Sequence, residues 1–313
     1  MREIGGYFDL ECGHNTLYHN DAVALNSARN ALRYIIRAYN IRAIYAPFYT
    51  CPVVWDAIMA ENCEIIPYDI DDNFMPMGDI PGDAFVLYNN YFGVCGNNVV
   101  TLSKQYQNLI VDNAQAFYTK NRGLASIYSP RKFFGLPDGG FAICDKRLPD
   151  AFETSVSYDL CTHLLKRIDM GANAGYPDFQ KNDGALIGRP IQNMSNLTTR
   201  LMGNIDYDFV RRVRMENFEQ LHNALAGKNR IQINMAADDV PMVYPFRTDD
   251  RALRSRLIEN KIFVAKYWPK EDNGCMDSVP AETMANTIVP LPIDQRYDAD
   301  DMKRIVEVIN ANN

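Results

Sequence analysis

One lysine in this sequence has a setting that suits covalent chemistry. Lys132 follows Ser129, Pro130 and an arginine, and it precedes the glycine-containing segment 135–140, GLPDGG. A lysine amine condenses with an aldehyde, and a turn that holds the amine still while glycines allow close backbone approach favours that reaction. A lysine in a loop is also commonly a solvated surface charge. The turn alone therefore leaves both interpretations open.

An acidic residue and an amide follow the apolar run that precedes this turn. Asp112 comes directly after Leu-Ile-Val at 109–111, and Gln115 lies three residues further on. A carboxylate beside the ring nitrogen of pyridoxal phosphate (PLP) keeps that nitrogen protonated, which makes the ring an electron sink. Gln115 would hydrogen-bond the phenolic oxygen of the ring. An aspartate that ends a buried strand and caps the next helix is equally typical of α/β proteins. In combination with Lys132, the pattern predicts a PLP site with Lys132 and Asp112 as catalytic residues.

Three motifs together resemble the DegT/StrS-type sugar aminotransferases, which are PLP enzymes of the aspartate-aminotransferase fold. They are VDNAQ at 111–115, SPRK at 129–132 and DGG at 138–140. The resemblance extends from IGGYF at 4–8, through APFYTC at 46–51, to LPI at 291–293. It implies an α/β fold with a three-layer, mostly parallel sheet and a smaller C-terminal α+β domain. It also implies transfer of an amino group from glutamate to a nucleotide-linked keto sugar.

The resemblance assigns further cofactor contacts. Ser27 and Ala28 begin a predicted helix whose N-terminus would face the cofactor phosphate, although a capped core helix explains the same pattern. Ser129 is a third candidate for the phosphate. Either Tyr49 or Cys51 would cover the ring, and an ordinary buried thiol is the alternative for Cys51.

Asn193 lies in a loop that, by the same resemblance, reaches into the site of a neighbouring subunit. The loop, QNMS at 192–195, lacks the arginine that many relatives carry there. The resemblance thus implies a homodimer with shared active sites, in which the helix carrying Arg211, Arg212 and Arg214 would also lie beside the partner's cofactor. Those arginines otherwise indicate a solvated or salt-bridged helix face.

Strands and helices alternate in the first half of the chain. Apolar runs at 43–46, 64–68, 84–88 and 109–112 predict strands of a largely parallel sheet with right-handed crossovers. Ligands bind at the carboxyl ends of such strands, where Tyr49, Asn90, Asp112 and Lys132 all lie. No Gly-x-Gly-x-x-Gly follows the first of these strands, which argues against a nicotinamide-dependent oxidoreductase.

The predicted organisation is an N-terminal arm at 1–20, a large PLP-binding domain at 21–228 and a small domain at 229–313. Helical patterns cover 150–167 and 193–225, with a polar, glycine-containing loop at 171–177 between them. In the small domain we expect strands at 240–246, 262–265 and 287–290, and helices at 249–259 and 299–309.

Composition narrows the range of functions. The chain has 313 residues, 32 basic and 39 acidic, for a net charge of −7, which argues against a nucleic-acid partner. The sequence shows neither an apolar signal region nor a run of membrane-spanning length, so we expect a cytoplasmic protein without a membrane partner. Seven scattered cysteines and four histidines predict no metal site. His14 and His19 share a polar loop and are expected to be solvated.

Two alternatives remain at this point. A non-catalytic PLP-binding homologue would share the cofactor site, and an aminotransferase acting on a different carbonyl substrate would share the chemistry. A dehydratase branch of the same family has histidine in place of the lysine, and Lys132 argues against it.

Overall fold

The computed structural model describes residues 4–13, 15–269 and 277–311. The strands in these ranges are β1 (Val23–Leu25), β2 (Ala43–Pro47), β3 (Glu64–Tyr68), β4 (Phe85–Asn89), β5 (Asn108–Asn113), β6 (Ala125–Tyr128), β7 (Gly140–Cys144), β8 (Val243–Arg247) and β9 (Ile288–Pro292). The α-helices are α1 (Ala28–Tyr39), α2 (Pro52–Met59), α3 (Gly96–Gln105), α4 (Thr162–Met170), α5 (Ala172–Ala185), α6 (Asn196–Met202), α7 (Tyr207–Leu225), α8 (Leu253–Glu259), α9 (Val279–Thr287) and α10 (Ala299–Asn310).

Seven strands form one mostly parallel sheet in the order β1-β7-β6-β5-β4-β2-β3. Strands β2 to β6 run parallel to one another, and β7 is antiparallel to both β6 and β1. The carboxyl ends of β1, β4, β5 and β6 therefore meet at one edge, where β7 begins. This arrangement confirms the predicted α/β fold class.

The central strands β4 and β5 are apolar over most of their length because both faces of the sheet are covered. Successive residues of a strand point to opposite faces. Accordingly, Leu87 and Ile110 pack with α1 and α2 in one core, whereas Val86 and Val111 belong to a second core on the other face.

The second core also contains residues of the C-terminal part of the chain. There β8 and β9 form a two-stranded antiparallel sheet, and Leu291 and Ile305 pack in the same cluster as Val111. Because one core includes residues from both sides of position 229, the domain boundary there remains a prediction. Residues 262–265, predicted as a strand, lie in an irregular segment.

The region between β7 and α6 differs from its prediction. The helical stretch expected at 150–167 becomes an α-helix only at Thr162, and the loop expected at 171–177 is the first half of α5. Gly171, with φ of 85°, separates α4 from α5. Gly175 lies in α5 and allows it to pack closely against α4, because a Cβ at this position would lie only 2.8 Å from the His163 carbonyl oxygen of α4.

Within the described ranges, none of the helices is both long enough and apolar enough to cross a bilayer.

Candidate active site

A cavity of about 330 Å³ lies at the edge where the strand ends meet. Its lining includes six of the predicted site residues: Ser27, Ala28, Cys51, Asp112, Ser129 and Lys132. A small recess shares Cys51, Asp112 and Lys132 with the cavity and extends to Gln115. The fold thus brings seven residues from distant parts of the sequence to one place.

The N-terminus of α1 forms one wall of the cavity. Ser27 is the N-cap, and its hydroxyl accepts a hydrogen bond from the Asn30 amide at 3.2 Å. The first amides of a helix have no intrahelical partner and attract anions. Gly140 permits this arrangement, because a Cβ there would lie 2.2 Å from the Ser27 carbonyl carbon. The glycines of the DGG motif thus allow β7 to begin directly against the helix N-terminus.

Lys132 ends a single 3-10 turn that follows β6. The turn comprises Pro130–Lys132, with Ser129 in extended conformation before it. The Lys132 side chain lines the cavity, the recess and a larger cleft on its other side. Lys132 therefore lies where the cavity and the larger cleft adjoin.

Asp112 stands at the end of β5 with its side chain almost fully buried. Its Oδ1 accepts a hydrogen bond from the Ala114 amide at 2.8 Å. Burial raises the pKa of the Asp112 carboxyl above its ordinary value, although the nearby Lys132 ammonium and the Ala114 amide lower it in part. A second cation beside this carboxylate would therefore stabilise its ionised form.

Gln115 has one satisfied and one unsatisfied amide atom. Its Oε1 accepts a hydrogen bond from the Phe92 amide at 2.7 Å, whereas its Nε2 is buried and has no hydrogen-bond partner. A buried donor without an acceptor is costly, by about 1–3 kcal/mol. An acceptor on a bound molecule would remove that cost.

The two candidates for covering a cofactor ring occupy different positions. Cys51 lines the cavity, and burial raises the pKa of its thiol. Tyr49 is buried behind it, where its ring stacks on Tyr91 at 5.6 Å and contacts the edge of Trp268 at 4.9 Å. Trp268 itself lines the cavity, which sequence analysis missed because it is distant along the chain.

Asn193 is not part of the cavity lining. Its backbone bridges to Leu25 and Thr154, and its Nδ2 donates to the Phe152 carbonyl at 2.7 Å. The side chain is thus engaged within its own chain, and its role at a partner's site remains a prediction.

Three charged residues of the cavity wall were missed by sequence analysis. They are Arg29, Arg131 and Asp183. The two arginines could have been identified in the sequence, because each is the direct neighbour of a predicted site residue: Arg29 follows Ala28, and Arg131 precedes Lys132.

A cleft of about 570 Å³ adjoins the cavity and shares Arg131, Lys132 and Phe179 with it. The α4–α5 hairpin and the segment at 294–296 form its other walls. Arg167, Arg214 and Arg296 also line it, whereas Asp294 is the single carboxylate among the lining residues. The cleft is large enough for an extended substrate and favours an anionic one.

Arg214 is buried, which corrects the expectation of a solvated arginine cluster; only Arg211 and Arg212 are exposed. Its guanidinium donates to the carbonyls of Met242 at 2.9 Å and Phe133 at 3.4 Å. Burial lowers the pKa of Arg214 to about 10. The Arg214 side chain is thus engaged within its own chain, and the position of this helix beside a partner's cofactor remains a prediction.

His19 is partly buried, contrary to the expectation of a solvated side chain, while His14 lies outside the described residues. Its Nε2 donates to the Phe117 carbonyl at 2.8 Å, and its ring lies 4.1 Å from that of Tyr128. Burial lowers the pKa of His19 to about 4. No group of histidine, cysteine and carboxylate side chains suited to a metal ion occurs in the described part of the chain.

A larger cleft, about 820 Å³, lies elsewhere, between α8 and α9. It contains none of the predicted site residues and is lined mainly by polar side chains such as Asp250, Arg254 and Glu282. We therefore place the candidate active site at the smaller cavity, where the reactive groups converge.

Neither a protein-family model nor a curated protein sequence matches the chain. Solved structures do match. The sugar aminotransferase CalS13 from Micromonospora echinospora aligns at 17% identity over 94% of this chain and 88% of its own, with a TM-score of 0.63. A DegT DnrJ EryC1 StrS aminotransferase from Brucella abortus aligns at 15% identity over 93% of this chain and 85% of its own, with a TM-score of 0.62. The PLP form of the putative sugar aminotransferase Spr1654 from Streptococcus pneumoniae aligns at 14% identity over 93% of this chain and 86% of its own, with a TM-score of 0.65. The chain thus has the fold of DegT/StrS-type sugar aminotransferases, as its motifs predict.

Proposed function

We propose that the protein is a PLP-dependent aminotransferase whose cofactor binds in the cavity beside Lys132. The observation that carries the proposal is that the predicted catalytic and ring-binding residues lie together at one cavity. Asp112 and Gln115 come from the end of β5 and the turn after it, and Lys132 comes from the turn after β6, yet all three line one connected space next to the N-terminus of α1. The fold shared with sugar aminotransferases supports the same conclusion.

The residues present fit each part of pyridoxal phosphate. Asp112 offers a carboxylate for the ring nitrogen, and the unpartnered Nε2 of Gln115 offers a donor for the phenolic oxygen. Ser27, Ala28 and Ser129 surround a position suited to the phosphate. When bound, the cofactor supplies the electron sink that allows an amino group to be exchanged for a carbonyl.

The side chains around the cavity would then have separate roles in the reaction. The Lys132 amine would hold the cofactor and would be available to carry a proton between cofactor and substrate carbons, since the residue lines both the cavity and the cleft. An ionised Asp112 would keep the ring nitrogen protonated. Cys51 and Trp268 line the cavity and would help to exclude water from the ring.

For the substrates, we propose glutamate as amino donor and a nucleotide-linked keto sugar as acceptor. The resemblance supports this pair. The cleft beside Lys132 also supports it, because its arginines complement the carboxylates of glutamate and the phosphates of a nucleotide.

We further propose a homodimer. Exposed large apolar side chains concentrate between positions 156 and 187: Val156, Tyr158, Leu165, Ile168, Met170, Tyr176, Phe179 and Ile187. An exposed apolar patch of this kind favours burial against another protein surface. An isologous contact of two such patches would place α4 and α5 of both subunits at the interface.

The test uses purified protein loaded with PLP. We expect a visible Schiff-base band that borohydride fixes to the chain and that glutamate converts to the pyridoxamine phosphate spectrum. Lys132→Ala should abolish the band and the reducible adduct, whereas Lys228→Ala, which changes an exposed lysine bonded to Asn310, should retain both. A borohydride-reducible adduct in Lys132→Ala would refute the assignment of the lysine. A band that no amino donor converts would instead indicate a non-catalytic PLP-binding protein.

A panel of acceptors then tests the second half-reaction. Nucleotide-linked keto sugars should restore the original band from the pyridoxamine form. Recovery only with small keto acids would keep the aminotransferase and exclude the nucleotide sugar.

A further inference from the structure

Two arginine side chains in the cavity wall have properties that the roles above leave unexplained. Arg29 is the second residue of α1, and Arg131 lies within the lysine turn. Their side chains are 16% and 15% exposed, so both cations are largely withdrawn from water. Burying a charge in this way is costly unless it meets a counter-charge.

Both guanidiniums form their ion pairs with the same carboxylate. Asp183 of α5 lies 3.3 Å from Arg131 Nη1 and 4.0 Å from Arg29 Nη2, and its own side chain is 53% exposed. Arg29 Nη1 and Arg131 Nε are buried without any hydrogen-bond partner. One half-exposed carboxylate therefore leaves the pair incompletely neutralised.

The net charge of the residues that line the cavity also indicates that the arginines lack sufficient counter-charge. The lining contains three cations, Arg29, Arg131 and Lys132, and two carboxylates, Asp112 and Asp183. The cavity thus has one positive charge in excess, although the chain as a whole is acidic with a net charge of −7. A concave site with this charge favours an anion.

The arginines are placed next to the groups assigned to the cofactor phosphate. Arg29 follows Ser27 and Ala28 in the chain, and Arg131 lies between Ser129 and Lys132. The loop expected to bring a partner's side chain to the phosphate contains no arginine, and its Asn193 donates within its own chain. A counter-charge is therefore available from the same subunit.

We propose that Arg29 and Arg131 together neutralise the 5′-phosphate of the cofactor, and that Asp183 is the carboxylate with which this phosphate competes. The inference rests on the proposed PLP site and adds two binding residues to it. A dianion would offset the mutual repulsion of the two guanidiniums, and charge-assisted hydrogen bonds to phosphate are strong. Asp183 is exposed enough to release them.

The test compares two ligands that differ only in the phosphate. Pyridoxal phosphate and 5-deoxypyridoxal have the same ring and aldehyde, so the ratio of their dissociation constants isolates the contribution of the phosphate. Both constants are measured from the Schiff-base absorbance of wild type, Arg29→Gln, Arg131→Gln, Asp183→Asn and the control Arg230→Gln. Arg230 is an exposed arginine paired with Asp249 in the C-terminal part of the chain.

Arg29→Gln and Arg131→Gln should each weaken PLP binding roughly 10- to 100-fold, with 5-deoxypyridoxal binding nearly unchanged. Asp183→Asn should strengthen the preference for PLP, because it removes the competing charge, and Arg230→Gln should match wild type. The inference would be overturned if the arginine variants bound pyridoxal phosphate and 5-deoxypyridoxal more weakly by the same factor. It would also be overturned if Asp183→Asn lowered the preference for pyridoxal phosphate, as the arginine variants are expected to do. A wild-type protein that forms no Schiff base with either ligand would overturn the proposed function itself.

Discussion

Arg214 donates a hydrogen bond from Nη2 to the carbonyl oxygen of Phe133, the residue that follows Lys132, at 3.4 Å. The same carbonyl accepts from Gln295 Nε2 at 2.8 Å, and the guanidinium lies 4.4 Å from the centre of the Phe133 ring. Helix α7 and the segment after β9 thus hold the end of the lysine turn. Arg214 is a positioning residue for Lys132.

Replacing Arg214 should therefore affect both stability and the site. Arg214→Met removes donors to Phe133 and Met242, so we expect a loss of about 2–4 kcal/mol in unfolding free energy, measured by urea denaturation. We also expect weaker Schiff-base formation in the protein that remains folded. Arg212→Met, in which an exposed ion pair with Glu216 is lost, should change stability by less than about 0.5 kcal/mol. Equal effects in both variants would contradict the anchoring role.

Asp112→Asn should separate chemistry from folding. Asparagine keeps an oxygen for the Ala114 amide, and burial already disfavours the charge of Asp112, so stability should be retained. Turnover should fall at least about 100-fold, because an amide does not hold the ring nitrogen protonated. The control is Asp239→Asn, a buried carboxylate that accepts from Gly96 and lies outside the cavity lining. Near-normal single-turnover rates in Asp112→Asn would remove it from the assigned role.

His19 should give stability a pH dependence in the acid range. Its pKa is lowered to about 4 in the folded protein from an ordinary 6.5, so the unfolded chain takes up a proton first as pH falls. The stability associated with neutral His19 is complete above pH 6.5 and decreases toward pH 4, by up to about 3 kcal/mol.

The comparison for this effect is His19→Gln, which keeps a donor for the Phe117 carbonyl and does not titrate. Its unfolding free energy should change less between pH 6.5 and 4 than that of wild type. Parallel curves for wild type and His19→Gln would show that His19 is not the group responsible.

Gly140→Ala should damage both the fold and the phosphate site. The added Cβ would meet the backbone of Ser27, which is unable to move without displacing α1, and overpacking of this kind costs about 1–3 kcal/mol. PLP affinity should fall with it. Gly184→Ala, where no atom lies within 4 Å of the added Cβ, should stabilise α5 by about 0.5–1 kcal/mol. A fully stable Gly140→Ala protein with wild-type affinity would contradict the described packing.

The proposed dimer makes a prediction about α4. Ile168, which is 81% exposed, should become buried at the interface, so Ile168→Asp should shift the protein toward monomer in sedimentation velocity at micromolar concentration. Val279→Asp, a change at a similarly exposed residue on α9, should leave the dimer intact. A wild-type protein that sediments as a fully active monomer would exclude a shared site.

The parts of the structure that sequence reasoning predicts are those with a local signal. The buried strands are mostly apolar runs. Asp112 lies at the end of β5, and Ser129 and Lys132 follow β6, so the sheet itself brings these residues together. The parts it missed depend on distant residues. His19 lies in a polar stretch of sequence, but its ring packs against Phe117 and Tyr128 and is partly withdrawn from water.

The prediction of a loop around Gly175 was wrong for a related reason. Gly175 resembles a loop residue in sequence, but its conformation is helical and its small size admits the backbone of α4. Likewise, nothing near Arg214 in the sequence shows that Phe133, Met242 and Gln295 surround it. Long-range packing leaves no local pattern from which it could be predicted.

The position of β1 has a consequence for synthesis of the protein. Although β1 is the first strand of the chain, its pairing partner in the sheet is β7, and the cavity lining extends from Ser27 to Trp268. A ribosome that has translated only the first half of the message therefore holds a chain in which part of the cavity wall has not yet been made. Domains fold as units while the chain emerges, so the cavity, and the cofactor proposed to bind there, would have a complete wall only after residue 268 has left the ribosome.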